Sequence, residues 1–275
     1  MELPWLGICL KHQKNKPLYP SRQQPQITDY QPFNKIASNF EFLMNLAVIP
    51  ARGGSQRIPK KNIRRFCGKP MIGYAIEAAL GSSSIEQVIV STDSKEISDI
   101  ARSFGAQVPF LRPAELSDEH ATTSAVIVHA IKAMRATGSA PENVCCIFPC
   151  TPFLTADCLD DFYAKMEKAR HSFVYPVVLY SHPIQRAMTM DENGKMSLLQ
   201  PKFEYTRTQD LQPTYHDAAQ FYWGRVDAWL SGKKMLTEGI GIRISSRQAI
   251  DIDNFEDLEK AEWIMKSLKL ENSRA

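Results

Sequence analysis

Residues Leu46 to Asn62 read LAVIPARGGSQRIPKKN. The opening LAVI is short, apolar and made of β-branched or small side chains, as a strand buried on both faces should be. Gly53 and Gly54 follow almost at once, where backbone without side chains can approach a ligand and present its N–H groups. From Pro50 to Ile76 the chain carries Arg52, Arg57, Lys60, Lys61, Arg64, Arg65 and Lys69 and no acid. A cationic, glycine-bearing loop at a strand end suits a polyphosphate, and a merely solvated basic loop is the competing reading. The spacing is neither G-x-x-x-x-G-K-[ST] nor G-x-G-x-x-G, so a Walker loop and a dinucleotide fingerprint are both excluded.

Outward from this stretch the chain alternates between two periods. QVIVST (Gln87 to Thr92) and VCCIF (Val144 to Phe148) repeat the buried-strand composition. Met71, Ile72, Ala75, Ile76, Ala79 and Leu80 form one helical stripe after Pro70. Ile97, Ile100, Ala101 and Phe104 form a second, ending at Gly105, and Ala125 to Met134 gives a third. The order β-α-β-α-α-β predicts an α/β fold with a mostly parallel sheet, helices on its faces and right-handed crossovers. Ligands in such sheets bind beyond the carboxyl ends of the strands, where the cationic loop lies. FVYPVVLY (Phe173 to Tyr180) closes the alternation, and a polar and aromatic insertion spans 181–216. QFYWG and IGIRI then resume the sheet, and an amphipathic helix runs from about Asn254 to Leu268.

The 275 residues carry a formal net charge of +3, too small for bulk attraction to nucleic acid or a membrane. No apolar run reaches the roughly 20 residues that a spanning helix needs. WLGICL near the start is too short for a signal segment and lacks a preceding basic stretch. Cys9, Cys67, Cys145, Cys146, Cys150 and Cys158 show no C-x-x-C pair, which predicts reduced thiols in a cytoplasmic protein, with the Cys145–Cys150 group packed around a central strand. Residues 1–44, with Pro17, Pro20, Pro25 and Pro32 among polar residues, are expected to be a poorly ordered extension or an over-long start, dispensable for a domain over 45–275.

Two acidic patterns stand apart. In AIDIDNFEDLEKAE, a strand would place Asp251 and Asp253 on one face and Ile250 and Ile252 toward the core. Paired carboxylates suit Mg²⁺ held with substrate phosphates. Asp253 with Glu256 also reads as a helix capping box. Asp93 with Glu96 carries the same ambiguity, and there the cap is the expected role.

IPARGGSQRIPKKN, VIVSTDS, RPAELSDEHATT and IDIDNFEDLEKAE, in this order after Met44, resemble the CMP-sugar acid synthetases, the group that activates sialic acids. CGKP, YSHPIQRAM, TRTQDL and YHDAAQFYWG further resemble the pseudaminic acid cytidylyltransferases within that group. The resemblance implies a Rossmann-like sheet of the nucleotide-diphospho-sugar transferase type. It also implies transfer of CMP from CTP to the anomeric hydroxyl of a nonulosonic acid, releasing pyrophosphate. By match to the family motifs, Arg52 and Lys61 are expected to be catalytic, and Asp251 and Asp253 to hold Mg²⁺. Ala51, Gly53, Gly54, Ser55 and Asn62 would cradle the triphosphate, while Arg112, Ala121 and Thr123 meet cytosine; an ordinary surface cation is the other reading of Arg112. The insertion would form a homodimer, with Arg186 and Arg207 on the sugar carboxylate and Gln220, Phe221 and Tyr222 on its substituents. Those arginines and aromatics would equally suit the dimer interface itself. Three departures from the family pattern are Gln56 for a lysine, Phe148 for a polar residue and Ala219 for a glycine. Alternatives are a CMP-N-acetylneuraminate or other nonulosonate synthetase, and a non-catalytic nucleotide sensor, which would need no paired metal carboxylates.

Overall fold

The computed structural model describes residues 44–272, so the expected extension lies outside the described residues except for Met44. The first strand, β1 (Met44–Pro50), leads through the cationic loop to a small hairpin, β2 (Arg65–Phe66) and β3 (Lys69–Pro70). Helix α1 (Met71–Gly81), strand β4 (Gln87–Ser91), helices α2 (Lys95–Ser103) and α3 (Thr123–Ala136) and strand β5 (Pro141–Ile147) follow in the predicted order. Next come α4 (Ala156–Ala169), β6 (Phe173–Leu179), the hairpin β7 (Met188–Met190) and β8 (Met196–Leu198), and β9 (Tyr215–Asp217). The chain closes with β10 (Phe221–Arg225), α5 (Val226–Leu230), α6 (Met235–Glu238), β11 (Ile240–Arg243) and α7 (Phe255–Asn272).

The central sheet runs β11-β6-β10-β5-β1-β4, with β9 also paired to β6. Strand β1 is parallel to both β4 and β5, and β11 is parallel to β6. Only β10 and its continuation β9 run against their neighbours. The expected mostly parallel sheet is therefore observed. The insertion is less separate than its composition suggests, because its last residues enter the sheet as β9 at Tyr215.

Alternation along the strands divides the core. Ala47, Ile49, Val88, Val90, Cys145 and Ile147 face one side with Ile72, Ile76, Phe162 and Met166 from the helices. Leu46, Val48, Ile89, Val144 and Cys146 face the other with Ile127, Ile131, Val226 and Trp229. Each fully buried aliphatic side chain contributes about 1.5–3 kcal/mol. Cys145 and Cys146 are buried on β5, one on each face, and burial pushes both thiols well above their usual pKa.

A third, smaller cluster lies beneath the cationic loop. Ile58 from the loop, Phe66 from β2 and Met71 from α1 pack there with Ile252, Leu258 and Ala261 from the chain's other end. The β2–β3 turn that presents Phe66 has Cys67 and Gly68 at φ 46° and 93°, the left-handed pair that a two-residue hairpin turn requires.

Ala219, where a glycine was expected, sits at φ 49° between β9 and β10. The left-handed region costs a Cβ-bearing residue roughly 1–2 kcal/mol. Replacement by glycine returns part of that as extra unfolded-chain entropy, about 0.4–1 kcal/mol. Ala219→Gly should therefore stabilise the protein by about 0.5–1 kcal/mol, read in calorimetry as a Tm rise of roughly 2–3 °C. An unchanged or lower Tm would show that the turn relaxes without strain.

Candidate active site

The site begins where two parallel strands end together. Pro50 pairs with Ser91, and the Ala51 amide still donates to the Ser91 carbonyl at 2.9 Å. Past that point the chains diverge, leaving the glycine loop beside the segment that starts α2. The Gly53 amide donates to Asp93 Oδ1 at 2.8 Å. The cap of α2 is Ser94, whose hydroxyl accepts from the Ile97 amide. The capping role expected of Asp93 is thus corrected: the cap falls one residue later, and Asp93 is turned to the loop. Glu96, its expected partner, is paired with Lys60 instead, at 2.7 Å.

Asn62 closes the far end of the loop. Its Nδ2 donates to the Arg52 carbonyl at 2.8 Å, while its Oδ1 accepts from the Cys150 thiol at 3.4 Å. Arg52 extends the other way, donating from a terminal guanidinium nitrogen to the Asp118 carbonyl at 2.9 Å. The Asp118 carboxylate in turn receives the His120 and Ala121 amides at 3.0 and 2.8 Å. Gln56 donates to Glu119 at 2.9 Å, so the segment before α3 is tied to the loop at two points. Asp118 was not singled out by sequence reasoning, although an aspartate two and three residues ahead of the amides it accepts is the ordinary signature of such a turn.

A cleft of about 250 Å³ opens between these elements. Arg52, Ser55, Lys61, Asn62, Arg112, Ala121 and Thr123 line it together with Phe148 and Asp253. Most of the expected catalytic and nucleotide-binding residues therefore converge, from segments scattered over some two hundred positions. Ala51 is fully buried behind the cleft wall, and Gly53 and Gly54 stand outside its lining. A Cβ at Gly54 would meet nothing within 4 Å, whereas one at Gly53 would press on Ser94 at 3.2 Å.

Arg112 is no surface cation. Only 7% of it is exposed, its Nε donates to the Ser91 hydroxyl at 3.1 Å, and a terminal nitrogen donates to the Ser91 carbonyl. Desolvation lowers its pKa from the usual arginine value, with Asp93 opposing and Arg52 adding to the shift. The guanidinium is thereby fixed as part of the cleft wall.

Of the two distant acids, Asp253 lines the cleft while Asp251 stands beside it, outside the lining, and both arrive by a route other than the expected one. Asp251 and Asp253 lie in a connection outside the sheet, not on a strand. The predicted alternation nevertheless holds: Ile252 is buried, Asp251 is exposed and Asp253 is half-buried. The reading of Asp253 with Glu256 as a capping box is also corrected. Asn254 Oδ1 accepts from the Asp257 amide, and Asp257 accepts from the amides of Asp253 and Asn254, all within 3.1 Å. That reciprocal box caps α7 and leaves the Asp253 carboxylate to other partners. It takes Arg57 at 2.9 Å and Lys61 at 3.5 Å, while Lys61 Nζ donates to the Ile252 carbonyl at 2.6 Å.

Desolvation and then the Asp253 charge raise the Asp251 pKa, opposed by Lys61 and Arg57. Two mutually repelling carboxylates among phosphate-seeking cations make a donor set that fits Mg²⁺, which takes one or two carboxylates and completes its shell with water and phosphate oxygens. Among the described residues no group of three or more His, Cys, Asp or Glu forms a ready-made metal cage. Cys150 lies amid this constellation; burial pushes its thiol up to about 12, Lys61 opposing while Asp251 and Asp253 add to the shift.

The expected sugar-binding residues do not join the cleft. Phe221 is fully buried against Phe162, with ring centroids 4.9 Å apart. Tyr222 points to the opposite core layer, its hydroxyl bonded to Asp217, and its ring meets Phe148 at 5.6 Å. Gln220 is 4% exposed and donates to the Gln248 carbonyl. None of the three lines the cleft: Phe221 and Tyr222 lie on β10, an interior strand with both faces covered, and Gln220 immediately precedes it. Phe148, in contrast, does line the cleft. Arg186 donates to the Thr208 hydroxyl at 2.7 Å, and Arg207 pairs with Asp210 at 2.7 Å. Both lie on the insertion and outside the cleft lining.

Residues 46–270 match the family model described as Cytidylyltransferase. The chain is 38% identical over 225 residues to a pseudaminic acid cytidylyltransferase of Campylobacter jejuni subsp. jejuni serotype O:2, covering 82% of this chain and 97% of that protein. It is 29% identical over 221 residues to an N-acylneuraminate cytidylyltransferase of Escherichia coli O18:K1:H7, covering 78% of this chain and 51% of that protein. Among solved structures, a CMP:2-keto-3-deoxy-manno-octonic acid synthetase complexed with CTP superposes with a TM-score of 0.59 at 17% identity, over 82% of this chain and 99% of that one. This last likeness concerns the fold.

Proposed function

The chain belongs to the cytidylyltransferase family, and from that premise we propose that it transfers CMP from CTP to the anomeric hydroxyl of pseudaminic acid, releasing pyrophosphate. The observation that carries the reading is the single cleft in which Arg52, Lys61, Asn62, Arg112 and Asp253 meet. The anomeric hydroxyl gives up its proton to solvent as its oxygen bonds to the α-phosphorus, and the bond from the α-phosphorus to the oxygen bridging to the β-phosphate breaks, so negative charge moves onto pyrophosphate. Such a transfer is governed by positioning and by groups aimed at the developing charge. Arg52 and Lys61 have that task in our reading. Arg112, Ala121 and Thr123 face cytosine, and the glycine loop holds the phosphates. Asp251 and Asp253 would hold Mg²⁺, which when bound neutralises phosphate charge.

Pyrophosphate release from CTP across a panel of purified nonulosonic acids tests the function. Pseudaminic acid should give the highest kcat/KM. A higher value with N-acetylneuraminic acid would move the assignment to an N-acylneuraminate substrate, and failure to release pyrophosphate with any of the acids would leave the nucleotide sensor.

The insertion supports a homodimer in the same reading. Met188, Met190, Leu199 and Tyr205 are 57%, 69%, 61% and 91% exposed, an apolar surface suited to a second copy. We assign the sugar carboxylate to Arg207 and Arg186, planar donors shaped for a carboxylate. The Arg207–Asp210 pair is exposed, and exposed pairs are weak enough for a substrate to displace. Arg207→Ala should raise the KM for the sugar acid roughly 10- to 100-fold, the worth of a charged hydrogen bond, with the KM for CTP and the mass by light scattering unchanged. A monomer with both constants disturbed would make Arg207 an interface residue. No helix among the described residues is long and apolar enough to cross a membrane. The absence of C-x-x-C spacing supports a reducing, cytoplasmic setting.

A further inference from the structure

Asp93 stands where a catalytic account of the site gives it no role. It is a carboxylate beside a loop whose cations await a triphosphate, so its charge opposes the ligand the loop is built to hold. The capping role that would explain it belongs to Ser94. It does not complete a metal site with the other acids, because among the described residues no cluster of three such ligands exists.

What Asp93 does have is the Gly53 amide, at 2.8 Å from Oδ1. The contact follows from the register of β1 and β4. With Pro50 opposite Ser91, Gly53 and Asp93 lie three and two residues past the last paired positions, on chains that have just lost their ladder. Gly53 lies so close to the start of α2 that a Cβ there would come within 3.2 Å of Ser94. The Gly53 carbonyl then receives the Ser55 amide at 3.1 Å, and the Arg52 carbonyl on the preceding residue receives Asn62. The turn carrying Gly54 is thus pinned on one side by Asp93 and on the other by Asn62, with open space around Gly54. The Asp93 charge also favours the charged form of the buried Arg112 against desolvation.

We propose that Asp93 is a positioning residue: by accepting the Gly53 N–H it holds the phosphate loop in its ligand-ready shape before nucleotide arrives. This rests on the reading of the loop as the triphosphate site of a cytidylyltransferase. The acceptor oxygen matters more than the charge, so asparagine, which keeps an Oδ1, should substitute and alanine should not. An unpinned loop must be ordered at the expense of binding, which weakens CTP by about tenfold for one charge-assisted hydrogen bond.

The test uses the full chain with Asp93→Ala and Asp93→Asn and two readouts. Hydrogen exchange of the Gly53 amide, followed by NMR without nucleotide, should accelerate about tenfold or more in the alanine variant and stay near wild type in the asparagine variant. The KM for CTP should rise about tenfold in Asp93→Ala with kcat at saturation within about twofold, and Asp93→Asn should recover most of the loss. An alanine variant that matches wild type in both readouts overturns the proposal. So does an asparagine variant as damaged as alanine, or a kcat loss of about a hundredfold at unchanged KM, which would make Asp93 a reacting or metal-binding group. If wild type itself releases no pyrophosphate from CTP, the functional reading falls, and the exchange rates still decide whether Asp93 holds the loop.

Discussion

Lys61→Ala should lower kcat for pyrophosphate release by about 10²–10³-fold, or roughly 3–4 kcal/mol, the usual loss for one donor aimed at developing charge. The side chain is held where such a donor is useful: 24% exposed, anchored to the Ile252 carbonyl and 3.5 Å from Asp253. Arg52→Ala should fall in the same range. Its guanidinium also holds the Asp118 carbonyl, so that variant should lose CTP affinity as well, through release of the segment before α3. Steady-state kinetics on folded variants, checked by unchanged Tm, measures both. Activity within a few-fold of wild type would remove the residue from the catalytic set.

The second large effect concerns the acids. Chelation should abolish turnover and added Mg²⁺ should restore it, because a metal neutralising phosphate charge is worth several kcal/mol, at least ~10²-fold in rate. Asp253→Asn and Asp251→Asn should each approach that loss, far exceeding Asp93→Asn. Asp253→Asn also removes the partner of Arg57 and Lys61, so its Tm should be compared with that of Asp251→Asn before the loss is credited to metal binding. Turnover undiminished by chelator would eliminate the metal. Loss confined to Asp253→Asn would leave that residue only as an ion-pair partner of Arg57 and Lys61.

The sheet was legible because its strands carry period-2 and buried-run patterns and its helices carry apolar stripes, and both signals are local. The convergence of the cationic loop with the distant acids was legible through several motifs in fixed order. The errors have local causes too. In STDS and DIDN two cap-competent residues stand side by side, and sequence alone cannot say which one turns to the helix. In both places the second residue, Ser94 or Asn254, forms the cap and the aspartate before it is released to the site. For Arg112 the sequence left two readings, a cytosine contact by motif match and a surface cation; the bridge between Leu111 and Thr92, with the Arg112 amide donating to the Thr92 carbonyl, shows why the side chain is drawn under Ser91. Gln220, Phe221 and Tyr222 were read against the sugar's substituents or the dimer interface; Phe221 and Tyr222 lie on the reversed strand β10 between two covered faces, with Gln220 just before it, an arrangement their own composition does not reveal.

The small cluster of Ile58, Phe66, Met71, Ile252, Leu258 and Ala261 has a consequence for biogenesis. It joins segments far apart in the chain, so that the second leaves the ribosome long after the first, and the Lys61 anchor spans 191 positions to Ile252. Contacts of such sequence separation form late, after the intervening loop entropy has been overcome. A nascent chain that has not yet extended past β11 can already pair β1, β4 and β5, yet its Lys61 has nothing to hold. During refolding, the sheet signal in far-ultraviolet circular dichroism should therefore recover before the ability to turn over CTP, with the docking of α7 setting the interval.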